Sequence, residues 1–208
     1  MFDIDKKSFV IYDFETEGLN HAFTRPWELA FCVYDKGKKV HEYQAYLQWP
    51  DLNVCYHAAK ATGFDQSVVD KKGKNPKEVI DYFCKFLYDQ KYYILGHNIL
   101  GYDSQILNVS RRELGYKADF SFIKRVIDTN AVARGIKLNR LPKEHDDFIA
   151  WQYRILDVKA KGIKTKTDIL CKEYCIPYNP DKLHGALYDI EINYEILKKL
   201  VNKIDINL

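Results

Sequence analysis

The chain has 208 residues with a hydrophobic fraction of 47% and an aromatic fraction of 14%, which suits one full core and excludes a disordered segment. Its formal net charge of +3, from 32 basic and 29 acidic residues, is too small to identify a nucleic-acid partner. No apolar run reaches the length of a membrane span, and Met1-Phe2-Asp3-Ile4-Asp5-Lys6-Lys7 lacks the basic-then-apolar pattern of a secretory signal, so a soluble, cytoplasmic protein is expected.

Phe9-Val10-Ile11-Tyr12 is a short apolar run that predicts a strand buried on both faces. Trp27 to Tyr34 and Val40 to Trp49 follow as strands, and the polar Asp35-Lys36-Gly37-Lys38-Lys39 between them reads as a hairpin connection. The chain is therefore expected to open as an antiparallel meander of three strands. Asn75 fits a helix N-cap, Pro76 the first helical position and Glu78 the third residue after the cap. Val79, Ile80, Phe83, Phe86 and Leu87 then recur at helical spacing. Tyr92 to Gly96 reads as a fourth strand, and Ser104 to Leu114 as a helix ended by Gly115. Val126-Ile127-Asp128 predicts a short fifth strand, with a helix from Thr129.

Residues 139–163 contain Pro142, the charge cluster Lys143-Glu144-His145-Asp146-Asp147, and Trp151. They read as a loop or short helices, an insertion or irregular segment. Thr167 to Cys175 predicts a helix stopped by Ile176-Pro177. The last helix runs from about Gly185 to Lys203, with Leu187, Ile190, Tyr194, Leu197, Val201 and Ile204 as its core stripe. This order predicts a single α/β domain over residues 1–208 with a mixed sheet.

The five cysteines, Cys32, Cys55, Cys84, Cys171 and Cys175, are odd in number, so a disulfide framework is not expected. Cys171 and Cys175 lie four apart on one expected helix face without further soft ligands nearby, which points to buried reduced thiols rather than zinc. Arg134 to Lys172 holds ten Lys/Arg against five Asp/Glu. Such a stretch can track a phosphate backbone or form a solvated basic face, and the sequence weighs the two equally.

Asp13 and Glu15 stand two apart at the end of the first strand, so their side chains share one face. Two carboxylates on one face suit a hard cation such as Mg²⁺ or Mn²⁺. Asp103 opens a helix, where a lone Asp is ordinarily a terminal charge. Asp189 sits between core positions Leu187 and Ile190, and a cation would offset the cost of burying it. His184, just before the same helix, is placed to act as a general base on a metal-bound water.

Taken in order, these residues resemble the DEDDh-type 3′-5′ exonucleases of the DnaQ-like group. Asp13, Glu15, Thr16, Gly18 and Leu19 match its D-x-E-T-x-G-L motif. His97, Asn98 and Asp103 match its second motif, with a step of five from Asn98 to Asp103 where the family usually has four, and Gly101 as the extra residue. His184, Ala186 and Asp189 match H-x-A-x-x-D, which selects the histidine branch. Ala61-Thr62-Gly63-Phe64 and Ile127-Asp128-Thr129 are similar to further segments of the family.

The resemblance implies an RNase H-like fold with a five-stranded mixed sheet, over roughly residues 8–200. It implies hydrolysis of phosphodiester bonds at nucleic-acid 3′ ends, DNA being favoured, by a two-metal mechanism with Mg²⁺ or Mn²⁺. Asp13 would bridge the ions, Glu15 and Asp189 complete one site, Asp103 hold the second ion, and His184 serve as base. Thr16 and Leu19 would contact the terminal nucleotide, Leu19 as an apolar wedge. Phe14 would offer its backbone with its ring in the core, and Asn98 would support the geometry. The alternatives are a 3′-5′ exoribonuclease and a non-cleaving subunit that binds nucleic acid or a polymerase. The chain ends soon after the last helix, at Ile204 to Leu208, without a long tether, which favours a freestanding exonuclease and leaves an unlinked polymerase subunit as the other option, DNA proofreading or repair being the expected setting.

Overall fold

The apolar run at residues 9–12 lies within a longer strand, β1 (Ser8–Thr16), and all four of its side chains are buried. The structure is a computed structural model and describes residues 2–206, so the end of the tail read from Ile204 to Leu208 lies outside the described residues. β2 (Pro26–Asp35) and β3 (Lys38–Tyr46) complete the expected meander, both pairings antiparallel. β4 (Tyr93–Gly96) adds to β1 in parallel, and β5 (Val126–Asp128) adds to β4 in parallel. The sheet order is β3-β2-β1-β4-β5, a five-stranded mixed sheet flanked by helices, as the RNase H-like resemblance implies.

Alternate residues of β1 feed two cores. Phe9 and Ile11 join the core under α5 (Thr129–Lys137), α6 (Phe148–Asp157), α7 (Thr167–Glu173) and α8 (Ala186–Leu200). Val10, Tyr12 and Phe14 join the opposite core, under α3 (Pro76–Leu87) and α4 (Asp103–Glu113). This alternation is the period-two geometry of a strand covered on both faces. α8 lies against β1, β2, α5 and α7, so its buried face is wider than the expected stripe and includes Ile192, Ile196 and Leu200.

Several expectations are corrected. Two short helices, α1 (Tyr56–Thr62) and α2 (Gln66–Lys72), precede α3. α1 has no buried residue and α2 only Val69, so neither carries an apolar stripe that periodicity could detect. β3 stops at Tyr46, and Trp49 is buried through its indole N–H, which donates to the Pro26 carbonyl. α7 stops at Glu173, because Cys175 takes a left-handed backbone (φ 53°). Cys175 is therefore exposed while Cys171 is buried. All five thiols are free, but only Cys32 and Cys171 are buried.

The irregular stretch 139–163 holds α6, whose N-cap Asp147 accepts from the Ala150 N–H. Trp151 packs so closely on α5 that a Cβ at Gly135 would stand 2.4 Å from its ring. Gln152 is fully buried beside the edge strand β5. Its Oε1 accepts from the Asp128 N–H at 2.7 Å and its Nε2 donates to the Val126 carbonyl at 2.9 Å. One side chain thus stands in for the missing sixth strand and satisfies an otherwise open edge. Gln152→Leu would strand both backbone groups, at about 1–3 kcal/mol each. Denaturant unfolding should show that loss, and a variant as stable as the parent would contradict the role.

Candidate active site

The face of β1 that presents Phe9 and Ile11 to one core continues with Asp13 and Glu15 as the strand leaves that core. A bulge between Glu15 and Thr16 ends the regular pairing with β2 there. α8 brings Asp189 to the same place from its first turn. One carboxylate oxygen from each of Asp13, Glu15 and Asp189 lies within 4.8 Å of the others.

Asp103, buried at the start of α4, approaches from the neighbouring side and accepts from the Phe14 N–H at 3.1 Å. The step of five from Asn98 to Asp103 is absorbed in the turn after β4. Asn98 adopts a left-handed backbone (φ 62°). Its carbonyl accepts from the Gly101 and Tyr102 N–H groups. Gly101 leaves room for the Asn98 side chain, whose Oδ1 would be 2.9 Å from an added Cβ. The whole turn is gripped by Asp128, fully buried at the end of β5. Its two oxygens accept from Asn98 N–H (2.9 Å) and Leu100 N–H (3.0 Å), and Oδ1 also caps α5 at Asn130 and Ala131. The longer step therefore still delivers Asp103 beside Asp13. His97, the other residue of this motif, braces the turn through Nδ1, 2.9 Å from Thr129 Oγ1, and burial pulls its pKa down to about 4.

The electrostatics follow from this crowding. Asp13 is raised well above the usual carboxylate range, first by burial and then by Asp103, Glu15 and Asp189. Burial, with Glu28 and Asp189 next, lifts Glu15 to about 9. Burial lifts Asp103 to about 7 against the opposing hydrogen bond from Phe14. Asp189 rises to about 6 by burial, opposed by the His184 N–H. That N–H donates to Asp189 Oδ2 at 3.1 Å, while Oδ1 is buried without a hydrogen-bond partner. Four ordinary carboxylates would not be held together at neutral pH without a cation. The all-oxygen donor set, and an orphaned buried carboxylate oxygen, fit Mg²⁺ or Mn²⁺.

His184 sits in the turn before α8 with a left-handed backbone (φ 67°), exposed, and lines a cleft of about 1210 Å³ together with Asp13, Asn98 and Asp189. Leu19 is 85% exposed on the loop after β1. The base of that loop is closed by the Glu17–Arg25 ion pair at 2.8 Å, with Arg25 also bonded to the Pro50 and Asp51 carbonyls. The Phe14 ring lies in the core, as expected.

Two residues were not anticipated. Tyr102 holds Thr16 through a hydroxyl contact of 2.6 Å and also donates to the Gly18 carbonyl. Nothing in the sequence links positions 86 apart, and the only available signal was an aromatic residue directly before Asp103. Glu28, opposite Glu15 in the β1–β2 register, is buried and accepts from Gln44 at 2.7 Å. It sits in a strand otherwise apolar from Pro26 to Val33, so its polarity was the visible signal.

Comparison with known proteins agrees with this fold. The RNase_T exonuclease family model matches residues 10–197. The DNA polymerase III PolC-type of Ureaplasma parvum serovar 3 is 20% identical over 202 residues, covering 97% of this chain but 12% of the polymerase. A solved structure of exonuclease I superposes with a TM-score of 0.75 at 18% identity, covering 95% of this chain and 41% of that one. E. coli exonuclease I in complex with a dA16 oligonucleotide gives 0.74 at 20% identity, covering 94% and 41%. The chain thus spans less than half of the exonuclease I chains and a small part of the polymerase, and at these identities the superpositions establish the fold.

The raised carboxyl pKa values make stability without metal depend on pH. A carboxyl that holds its proton more tightly when folded stabilises the fold fully below its unfolded value, near pH 4. That contribution is lost as pH rises through the folded values of about 6, 7 and 9 for Asp189, Asp103 and Glu15. Chelator-treated protein should therefore melt at a lower Tm near pH 8 than near pH 5, and Mn²⁺ should restore most of the difference. A flat Tm that ignores Mn²⁺ would contradict the cluster as described.

Proposed function

On the premise that the chain belongs to the RNase_T exonuclease family, we propose that it hydrolyses phosphodiester bonds one nucleotide at a time from nucleic-acid 3′ ends. The observation that carries this reading is the carboxylate cluster: three oxygens within 4.8 Å, and a fourth carboxylate held against β1 by the Phe14 N–H. Asp13, Glu15, Asp103 and Asp189 would hold two divalent ions, Mg²⁺ or Mn²⁺. Such ions, when bound, lower the pKa of an attacking water and stabilise charge on the phosphate and leaving oxygen.

The remaining work falls to the chain's own groups. His184, anchored to Asp189 through its backbone N–H, takes the proton from the attacking water at its imidazole. Thr16, held by Tyr102, and exposed Leu19 grip the terminal nucleotide, Leu19 as a wedge against its base. Phe14 gives its N–H to Asp103, so its part toward substrate falls to its carbonyl. Asn98 keeps the β4–α4 turn in shape.

DNA is the favoured substrate, because the exonuclease I structure holds a dA16 strand and the sequence relative is a DNA polymerase. The same likeness supports a setting in proofreading or repair, with a polymerase as the partner.

The reading is tested by digestion of single- and double-stranded DNA and RNA, labelled at either end, with Mg²⁺ or Mn²⁺. DNA labelled at its 3′ end should lose that label first, and Asp13→Ala should reduce this to background without unfolding the protein. His184→Ala should lower kcat about 10²–10⁴-fold while leaving Mn²⁺ affinity nearly intact. Digestion undiminished in Asp13→Ala would remove the site from the mechanism. Tyr102→Phe, which deletes only the hydroxyl, should raise KM by about 2–10-fold with kcat little changed. An unchanged KM would show that the Thr16 contact has no part in binding.

A further inference from the structure

The cleft that exposes the carboxylates has a second wall of opposite charge. Lys164, Lys166 and Lys172, together with Ile169 and Tyr178, line the same cleft as Asp13 and Asp189. Lys172 lies 3.6 Å from Asp168. Lys164 and Lys166 are exposed, and among the described residues neither has an ion-pair partner.

This wall is braced rather than loose. Thr165, between the two lysines, is buried and donates to Asn130 Oδ1 at 2.6 Å. Asn130 Nδ2 donates in turn to Asn98 Oδ1 at 3.1 Å, which ties the wall to the turn that sets Asp103. Lys137 Nζ donates to the Lys164 carbonyl at 2.6 Å. With Thr165 turned inward, its exposed neighbours Lys164 and Lys166 both line the same cleft.

We infer that Lys164 and Lys166 bind successive phosphates of an unpaired strand leading to the 3′ nucleotide. Charge complementarity carries this assignment. A polyanion entering an acidic centre needs cations placed outside the metal shell, and two exposed lysines on a braced segment, without an ion-pair partner among the described residues, supply them. Ile169 and Tyr178 give the wall an apolar and aromatic surface for bases, the combination used by single-strand grooves. The local positive excess of residues 134–172 thus has a use beyond solvation. The inference rests on the exonuclease reading and specifies how that site holds the strand behind the scissile bond.

The test measures binding and turnover separately, with the full chain. Binding of a fluorescent single-stranded dodecanucleotide is followed by anisotropy in Ca²⁺ between about 50 and 200 mM salt. Lys164→Ala/Lys166→Ala should reduce the slope of log K against log salt by about 1.4, from about 0.7 per phosphate contact. The wild type should then lose about sevenfold more affinity than the variant over that range. Lys164→Arg/Lys166→Arg should restore the slope. In Mn²⁺, the Ala variant should have a raised KM on the dodecanucleotide, yet hydrolyse a thymidine 5′-monophosphate nitrophenyl ester like wild type, since that substrate is too short to reach the wall. An unchanged salt slope would overturn the inference, as would an equal loss on a blunt duplex. Wild type that binds with the expected slope but cleaves neither substrate would instead count against the exonuclease reading, leaving the wall in place.

Discussion

Repulsion among carboxylates organises this molecule. Asp13 and Glu15 come from the end of a central strand, Asp103 from the start of α4 and Asp189 from the start of α8. Each would ionise freely in water, and each is instead pushed upward by burial and, for Asp13 and Glu15, by its neighbours. The fold tolerates this because the groups are delivered by rigid elements whose apolar faces are buried elsewhere. A divalent cation turns the same crowding into favourable coordination. The destabilised arrangement and the proposed chemistry are one feature.

Holding the groups in place is mainly the task of hydrogen bonds that carry no catalytic part. Asp128 uses both oxygens to clasp the β4–α4 turn and to cap α5. Gln152 completes the edge strand from which Asp128 projects. Through Asn130 and Thr165 the same network reaches the lysine wall. One continuous set of buried and part-buried polar contacts therefore ties the acidic centre to the basic wall of the same cleft.

The parts of this arrangement that sequence made legible are those set by local periodicity. The alternation of β1 put Asp13 and Glu15 on one face, and the apolar stripe of α8 put Asp189 near the interior. The five-residue step before Asp103 was legible as a departure, but its solution was not. It depends on a left-handed Asn98 and on an Asp128 carboxylate 30 residues away. α6 was legible only as one of two options, a loop or short helices, because its most telling residue, Gln152, reads as a surface amide and is buried only where β5 needs a partner. α1 and α2 bury almost nothing and so leave no pattern. Glu28 and Tyr102 act through cross-strand and cross-element contacts, which no spacing rule along the chain encodes.

Cation binding coupled to proton release is the property that follows most directly from the cluster. Calorimetric titration with Mn²⁺ near pH 6.5, repeated in buffers of different ionisation enthalpy, measures both at once. Saturable binding with net release of protons is expected, because Glu15 and Asp103, raised to about 9 and about 7, still hold protons there that the metal must displace. Absence of saturable binding, or binding with no proton released, would contradict a carboxylate site built for a divalent cation.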